Sequence, residues 1–420
     1  MSAAADVPVL EGFDPMSDAY RLDSARAVQG AIESCPVGYY EPLNCYMVLR
    51  YADAREVLRD YETYSSQIFH PLAAPWLDRE QQRIAGVIVE GQALTMDPPR
   101  HTEQRKLIQR AFTNSQVHAA LADIERIAND LIDGFVDRGS CDLMTDYCYR
   151  LSLRGVSTML GFPFEQLPVF EAFITHIFTL QIPAHAPRNP NMTREKITEA
   201  YLHTEAAYGV FTEFVEDRRA NPRDDLASAM LALEGDDGEP LMSNDAAVAH
   251  VVGITAAGTG TTANLVGSVA RVLTAQPEIL ADLRAEPSLW TAAVEEGLRR
   301  YPPSSTLYRL TTRDVELGGV AIPEGSLIAV NVAAANCDPA QFPDPLAFDI
   351  HRPNLGDHIG FGLGRHFCLG SPLARPEARV ALETLYSRIP ELRVDLDQDV
   401  QFAANFVARA MLSQRANWPV

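Results

Sequence analysis

The chain has 420 residues, 47% of them hydrophobic and 22% charged, which is the composition of an ordinary globular protein able to bury a large core. Thirty-five Lys and Arg against 56 Asp and Glu leave a net charge of −21. That excludes general binding to nucleic-acid phosphates and docking on an anionic leaflet, both of which need a basic face.

Residues 1–15 read as an extended arm. No basic stretch followed by an apolar run occurs in the first 30 residues, so no signal peptide is expected. The segment CYMVLRY (45–51) has the pattern of a strand. Helical periodicity then dominates 103–136, 144–160, 193–218 and 245–275, with apolar residues at three- and four-residue spacing. The stretch 248–275 is the most apolar, but its Thr, Gly and Asn residues and Arg271 suit a buried helix and not a membrane span. Short strands alternate with Gly and Pro turns over 306–332, and the Pro- and Asp-rich 336–357 reads as an ordered, irregular loop. A last helix is expected at 372–388, kinked by Pro376. The expected fold is mainly α with a small β portion, organised as one domain over 1–420. Six cysteines scattered through a long chain (Cys35, Cys45, Cys141, Cys148, Cys337, Cys368) suggest reduced thiols in a cytoplasm, not a disulfide framework.

The segment with the sharpest chemical content is HIGFGLGRHFCLG, 358–370. Cys368 ends a Gly-rich loop just ahead of a helix, where N–H groups and the helix dipole favour a thiolate. Gly362, Gly364 and Gly370 allow close backbone approach to a large flat cofactor. Phe361 can cover the sulfur, and Arg365 and His366 flank it. Two other chemistries fit less well. A zinc site drawn from His358, His366 and Cys368 lacks a CxxC or HxxxH partner, and a nucleophilic cysteine lacks a separate His/Asn pairing.

Phe361, Gly364, Cys368 and Gly370 follow the spacing FxxGxxxCxG, which resembles the haem-binding loop of the cytochrome P-450 superfamily. Three further motifs stand in the family's order. Glu296 and Arg299 resemble its ExxR pair, with Arg352 as third partner; an acid and a base three apart are otherwise only a surface ion pair. Residues 257–262, AGTGTT, resemble the oxygen-binding groove of its long central helix. His101 and Arg105 resemble the HxxxR that contacts a haem propionate, and Arg309 and His366 match the other propionate partners. The same glycines also fit GxGxxA, a dinucleotide fingerprint, but without the flanking strand that fingerprint needs.

The resemblance implies haem b held between the central helix and the Cys-loop helix, with Cys368 on the iron. Phe361, Gly362, Gly370, Ala257 and Gly258 would line the haem, and Thr261 would serve near dioxygen. It implies a monooxygenase supplied with electrons from NAD(P)H through an acidic iron–sulfur ferredoxin and its reductase. Arg100, Arg105, Lys106, Arg110 and Arg365 are the expected docking patch. Gly260 departs from the pattern, because most bacterial members carry Asp or Glu there. That keeps open a haem-thiolate enzyme using peroxide or nitric oxide directly. A further departure is Cys337, where an arginine is usual, so one ion pair of the irregular loop should be lost. Family topology places the pocket walls at Ile254, Ala257, Leu307, Val89, Phe178 and Phe406. His176, His185 and Arg188 could meet a polar or anionic end of an otherwise apolar, small or medium-sized substrate, although a surface location is the first reading for each.

Overall fold

The computed structural model describes residues 8–10, 17–71, 76–183, 193–235, 237–403 and 407–420. The expected arm at 1–15, His185, Arg188 and Phe406 fall wholly or largely outside these, as does the side chain of Phe178.

The central helix, Asn244–Ala275, runs for 32 residues, or roughly 48 Å at 1.5 Å per residue. Ser243 starts it by accepting the Ala246 N–H on its hydroxyl, 3.2 Å away. Helices Tyr149–Leu160, Arg194–Ala220, Trp290–Arg300 and Ser371–Arg388 pack around it. The largest apolar cluster lies between them, which is why the central helix is buried over most of its circumference despite its Thr and Ser content. Those hydroxyls turn back on the helix: Thr255, Thr259 and Ser268 each donate to the carbonyl four residues earlier. No described helix is long and apolar enough to cross a membrane.

The β portion is a five-stranded sheet in the order Val37–Tyr40, Cys45–Val48, Leu327–Asn331, Thr306–Thr311, Tyr64–Ser65. Leu327–Asn331 pairs parallel with Cys45–Val48 and antiparallel with Thr306–Thr311. Its two faces enter two different apolar clusters, one containing Val48, Ile328 and Val330, the other Met47, Tyr308 and Ala329. Alternation along Thr306–Thr311 therefore sends Leu307 and Arg309 to one face and Tyr308 to the other.

The structure differs from the sequence pattern at three boundaries. The periodic run 103–136 is two helices, Arg100–Ala111 and Asn114–Asp133. A capping box divides them: the Thr113 hydroxyl accepts the Gln116 N–H and the Gln116 amide oxygen accepts the Thr113 N–H, both at 3.3 Å. The helix expected from 144 opens with a π-helical turn, Leu143–Cys148, before Tyr149–Leu160. The strand expected over 45–51 stops at Val48, because Tyr51 already begins helix Tyr51–Arg59. The Cys-loop helix, Ser371–Arg388, continues through Pro376.

Candidate functional site

The loop ahead of Ser371–Arg388 is folded tightly on itself. Its Cys368 N–H donates to the Phe361 carbonyl at 2.9 Å, and Gly362 N–H to the Ile359 carbonyl at 2.9 Å. Gly362 and Gly364 both sit at φ of 68°, a region that favours glycine. At Gly364 a Cβ would also stand 2.8 Å from the Leu58 carbonyl. Gly370, the cap residue just before the helix, has an ordinary φ of −80°, and its missing Cβ would lie 3.9 Å from the Cys368 sulfur. Burial pushes the Cys368 thiol up from its ordinary value, while the Gly370 and Ser371 N–H groups and the charges of Arg105 and Arg375 pull it down. The upward effect is larger, so the helix start lowers the thiol, as expected, without by itself making a thiolate. A metal's own charge is what would complete the deprotonation.

Beside the sulfur lies a set of cations and imidazoles; among the described residues the carboxylate whose charge reaches them, Asp97, is hydrogen-bonded to Ser65 and Ser66 instead. The His101 and His366 rings are 4.1 Å apart at their centroids. Both His101 nitrogens and His366 Nε2 are buried without a hydrogen-bond partner among the described residues. Burial and the surrounding arginines depress both imidazoles, His366 to about 3. Arg309, facing this space from the sheet, is 9% exposed, and burial lowers its guanidinium to about 10. Its only described hydrogen bond goes to the Tyr308 carbonyl, at 2.7 Å. Arg105 is half-buried and donates to the Phe367 carbonyl at 2.5 Å. Leaving one buried polar group unsatisfied costs about 1–3 kcal/mol, so this arrangement is expensive unless an anion occupies it. A flat group with two carboxylates beside a sulfur-bound metal would accept from the guanidiniums and from an N–H of each imidazole, and haem b fits. Arg365 does not take part: it is exposed, with its guanidinium 4.2 Å from the centre of the Tyr61 ring.

The loop is braced from behind by fully buried charge. Arg299 Nε and Nη2 donate to the two Glu296 oxygens at 2.7 Å each, with both side chains at 0% exposure. The same guanidinium donates to the carbonyls of Asn336, Pro345 and Ala347 at 2.8–2.9 Å, so the irregular loop is hung on one side chain. Arg352 lies 3.4 Å from Glu296 and holds the Pro343 and Asp344 carbonyls. Cys337 brings no ion pair, but its sulfur sits 3.5 Å from Arg299 Nη1.

On the central helix, Ala257, Gly260 and Thr261 share one face by their three- and four-residue spacing. Ala257 is exposed, Thr261 partly so, and a Cβ at Gly260 would meet no atom within 4 Å. Thr261 donates its hydroxyl proton to the Ala257 carbonyl at 2.7 Å, leaving its lone pairs free. Gly258 differs from the expectation. A Cβ there would stand 3.1 Å from Val156 on Tyr149–Leu160, so this glycine permits helix packing and does not face the cofactor side. Ile254 and Phe361 both border the largest core cluster. Leu307 comes within 3.6 Å of a Cβ built at Gly362, placing it against the haem loop. Val89 is not a free wall, because it is enclosed at 0% exposure in the apolar cluster with Tyr308 and Ile68.

Sequence reasoning missed a second bracing network. Glu295 binds Arg375 (Nε, 2.6 Å) and His358 (Nε2, 3.0 Å), and Arg375 lies 4.4 Å over the Phe361 ring. The Glu295–Glu296 doublet was the available signal, since consecutive helical residues must serve different partners. Asn264 was also missed; its amide donates to the Gly260 carbonyl at 2.7 Å and to the Tyr149 hydroxyl at 3.0 Å.

Comparison with known proteins matches this arrangement. The family model described as Cytochrome P450 matches residues 39–402. The 6-deoxyerythronolide B hydroxylase of Saccharopolyspora erythraea is 32% identical over 411 residues, 94% of each chain. The mycinamicin IV hydroxylase/epoxidase of Micromonospora griseorubida is 30% identical over 413 residues, 96% of this chain and 98% of its own. The solved structure of cytochrome P450 CYP109Q5 from Chondromyces apiculatus superposes with a TM-score of 0.83 at 30% identity, covering 97% of this chain and 98% of that one. A buried Glu–Arg brace, a cysteine at a glycine loop and a family match over most of the length agree, and the chain belongs to the cytochrome P450 family as a monooxygenase.

Proposed function

We propose that this enzyme inserts one oxygen atom of O2 into an apolar, small or medium-sized organic substrate, by hydroxylation or oxidative dealkylation. Electrons would come from NAD(P)H through an acidic ferredoxin and its reductase. The observation that carries the reading is the union of Cys368 with the anion-seeking cluster of His101, His366, Arg309 and Arg105. Bound haem supplies an iron that takes up and activates dioxygen, and a thiolate ligand favours O–O cleavage. The relatives named as hydroxylases of 6-deoxyerythronolide B and mycinamicin IV support hydroxylation of a medium-sized organic molecule.

The chain's own residues have distinct tasks in this reading. Cys368 holds the metal, with the Gly370 and Ser371 N–H groups favouring its charged form. Phe361, fixed beneath Arg375, keeps water from the sulfur. His101, His366, Arg105 and Arg309 would hold the propionates, and Gly362 with the neighbouring Leu307 would lie against the bound group. Thr261 offers hydroxyl lone pairs to a water or substrate hydroxyl, which passes protons in place of the carboxylate that Gly260 lacks. Exposed Arg100, Lys106, Arg110 and Arg365 form the ferredoxin surface, with Glu103 the exposed acid among them. Arg105 turns inward and drops out of that surface. Affinity for ferredoxin then falls as ionic strength rises. The reading keeps 1–420 as one domain working in the cytoplasm.

The test is NAD(P)H consumption with ferredoxin and reductase over a substrate panel chosen by spin-state shift. Substrate-dependent consumption with incorporation of O2 supports the proposal. Thr261→Ala should divert electrons to peroxide, and Gly260→Asp, which has open space for its side chain, should raise product per NAD(P)H. Ratios unchanged from wild type in both variants would overturn the assigned relay. The acid-free groove supports one rival, direct use of peroxide or nitric oxide; turnover with either oxidant and none with ferredoxin would decide for it.

A further inference from the structure

Helix Leu167–Leu180 packs on helix Arg194–Ala220 through an aromatic seam. Phe170 meets Phe211 edge-on at 5.7 Å, and Phe162 packs on Phe211 and Phe214 at 4.8 and 5.1 Å. Further along the pair the contact changes character. His176, from the first helix, stacks on His203 of the second, with ring centroids 4.4 Å apart and planes only 11° from parallel. Glu199 lies one turn before His203 on the same helix, a spacing of four that puts both side chains on one face. One donor atom from each of the three lies within 4.8 Å of the other two. Both imidazoles are half-buried, while the carboxylate is exposed. Among the described residues, no hydrogen bond or ion pair holds any of the three.

We propose that His176, Glu199 and His203 form a site for a divalent transition-metal ion, Zn2+ by preference, that ties the two helices together. Two imidazoles and one carboxylate are a borderline donor set that suits zinc and leaves a fourth position for water. With bonds of about 2.0–2.2 Å, tetrahedral donors stand about 3.4 Å apart. Closing the remaining distance takes a rotation of the two imidazoles out of their stack and of the exposed Glu199 carboxylate, from donor atoms that already lie within 4.8 Å of one another. Coordination also replaces the bare stacking of two imidazoles with bonds to both rings. The consequence is mechanical. Where the two helices are otherwise held by apolar packing, coordinate bonds would pin the C-terminal part of Leu167–Leu180, the segment that carries Phe178, the expected pocket wall. The site is separate from Cys368 and its cation cluster, and its existence does not depend on which substrate the enzyme takes.

The experiment uses untagged, haem-loaded full-length protein, stripped with chelator and titrated with zinc chloride by calorimetry, with bound metal counted by elemental analysis. The account expects one zinc per chain. His203→Gln and Glu199→Gln should each weaken binding by at least about tenfold, the lower end of what loss of a supporting ligand contact costs. His176→Gln should do the same from the opposite helix. His118→Gln, at an exposed histidine elsewhere, should leave the titration unchanged. Amide exchange should slow around 176 and 203 when zinc is added, in wild type and not in His203→Gln. Absence of stoichiometric uptake at micromolar zinc overturns the proposal, as does uptake that all three variants retain. If His176→Gln fails to fold, the two variants on the other helix carry the test alone.

Discussion

Arg309 gives the sharpest separation between a residue that stabilises the chain and one that waits for a ligand. Its guanidinium is 9% exposed, donates to one carbonyl and faces two imidazoles and another arginine. Burial holds it at about 10, with the charge of Asp97 acting the other way. Each pH unit below the ordinary guanidinium value corresponds to about 1.4 kcal/mol, so the haem-free chain carries a penalty of about 3 kcal/mol. The sign follows from linkage: a base whose folded value is lowered opposes folding at every pH below that value, so the whole penalty is present at pH 7. Arg309→Met removes it and gives up one hydrogen bond of about 1 kcal/mol. The haem-free variant should therefore be more stable than wild type, by about 2 kcal/mol, in urea unfolding. The haem-loaded variant should behave oppositely. Losing one charge-assisted bond to a carboxylate, about 1.5–3 kcal/mol, should speed haem transfer to excess apomyoglobin roughly ten- to a hundredfold. A haem-free variant less stable than wild type, or an unchanged rate of haem loss, would refute the assignment.

Three other outcomes follow from the geometry. Glu296→Gln strands the Arg299 guanidinium, and breaking a pair at 0% exposure should cost about 3–5 kcal/mol, seen as a lower urea midpoint and a smaller haem-loaded fraction. Gly364→Ala adds a Cβ 2.8 Å from the Leu58 carbonyl at a φ of 68°, so it should lower the urea midpoint more than Gly319→Ala, whose φ is 80° but whose Cβ meets nothing within 4 Å. The haem-free chain should lose stability as pH falls from about 6.5 toward 3, because the depressed His366 resists the proton that the unfolded chain accepts. Urea midpoints across that range for wild type and His366→Phe should converge at high pH and separate in acid, with the variant the more stable; parallel curves contradict the assignment.

The motif residues were legible because each lies in a short local pattern: the cysteine loop, Glu296 with Arg299, and His101 with Arg105. The mainly helical class and the central helix followed from apolar spacing. What escaped had physical reasons. The break at Thr113 comes from side-chain capping, while the apolar spacing continues across it. Gly258 and Gly260 look alike in sequence, yet one faces Val156 and the other open space, a difference set by helix rotation against a neighbour. Val89 is apolar like any pocket residue, and only the packing shows it enclosed. Arg375 and Glu295 are 80 residues apart, and nothing local pairs them. Cys368 shows the limit most clearly: its place at a helix start suggested a lowered thiol, but burial outweighs the N–H groups until a metal charge is present.

The central claim is that Cys368 ligates haem iron as a thiolate beside the His101–His366–Arg309 cluster. Its most direct test is the reduced carbon-monoxide difference spectrum of the purified protein, recorded for wild type and for Cys368→His. The account predicts a strongly red-shifted Soret band in wild type that moves to the position typical of histidine ligation in the variant. The same band position in both proteins, or no haem signal in haem-supplied wild type, would contradict it.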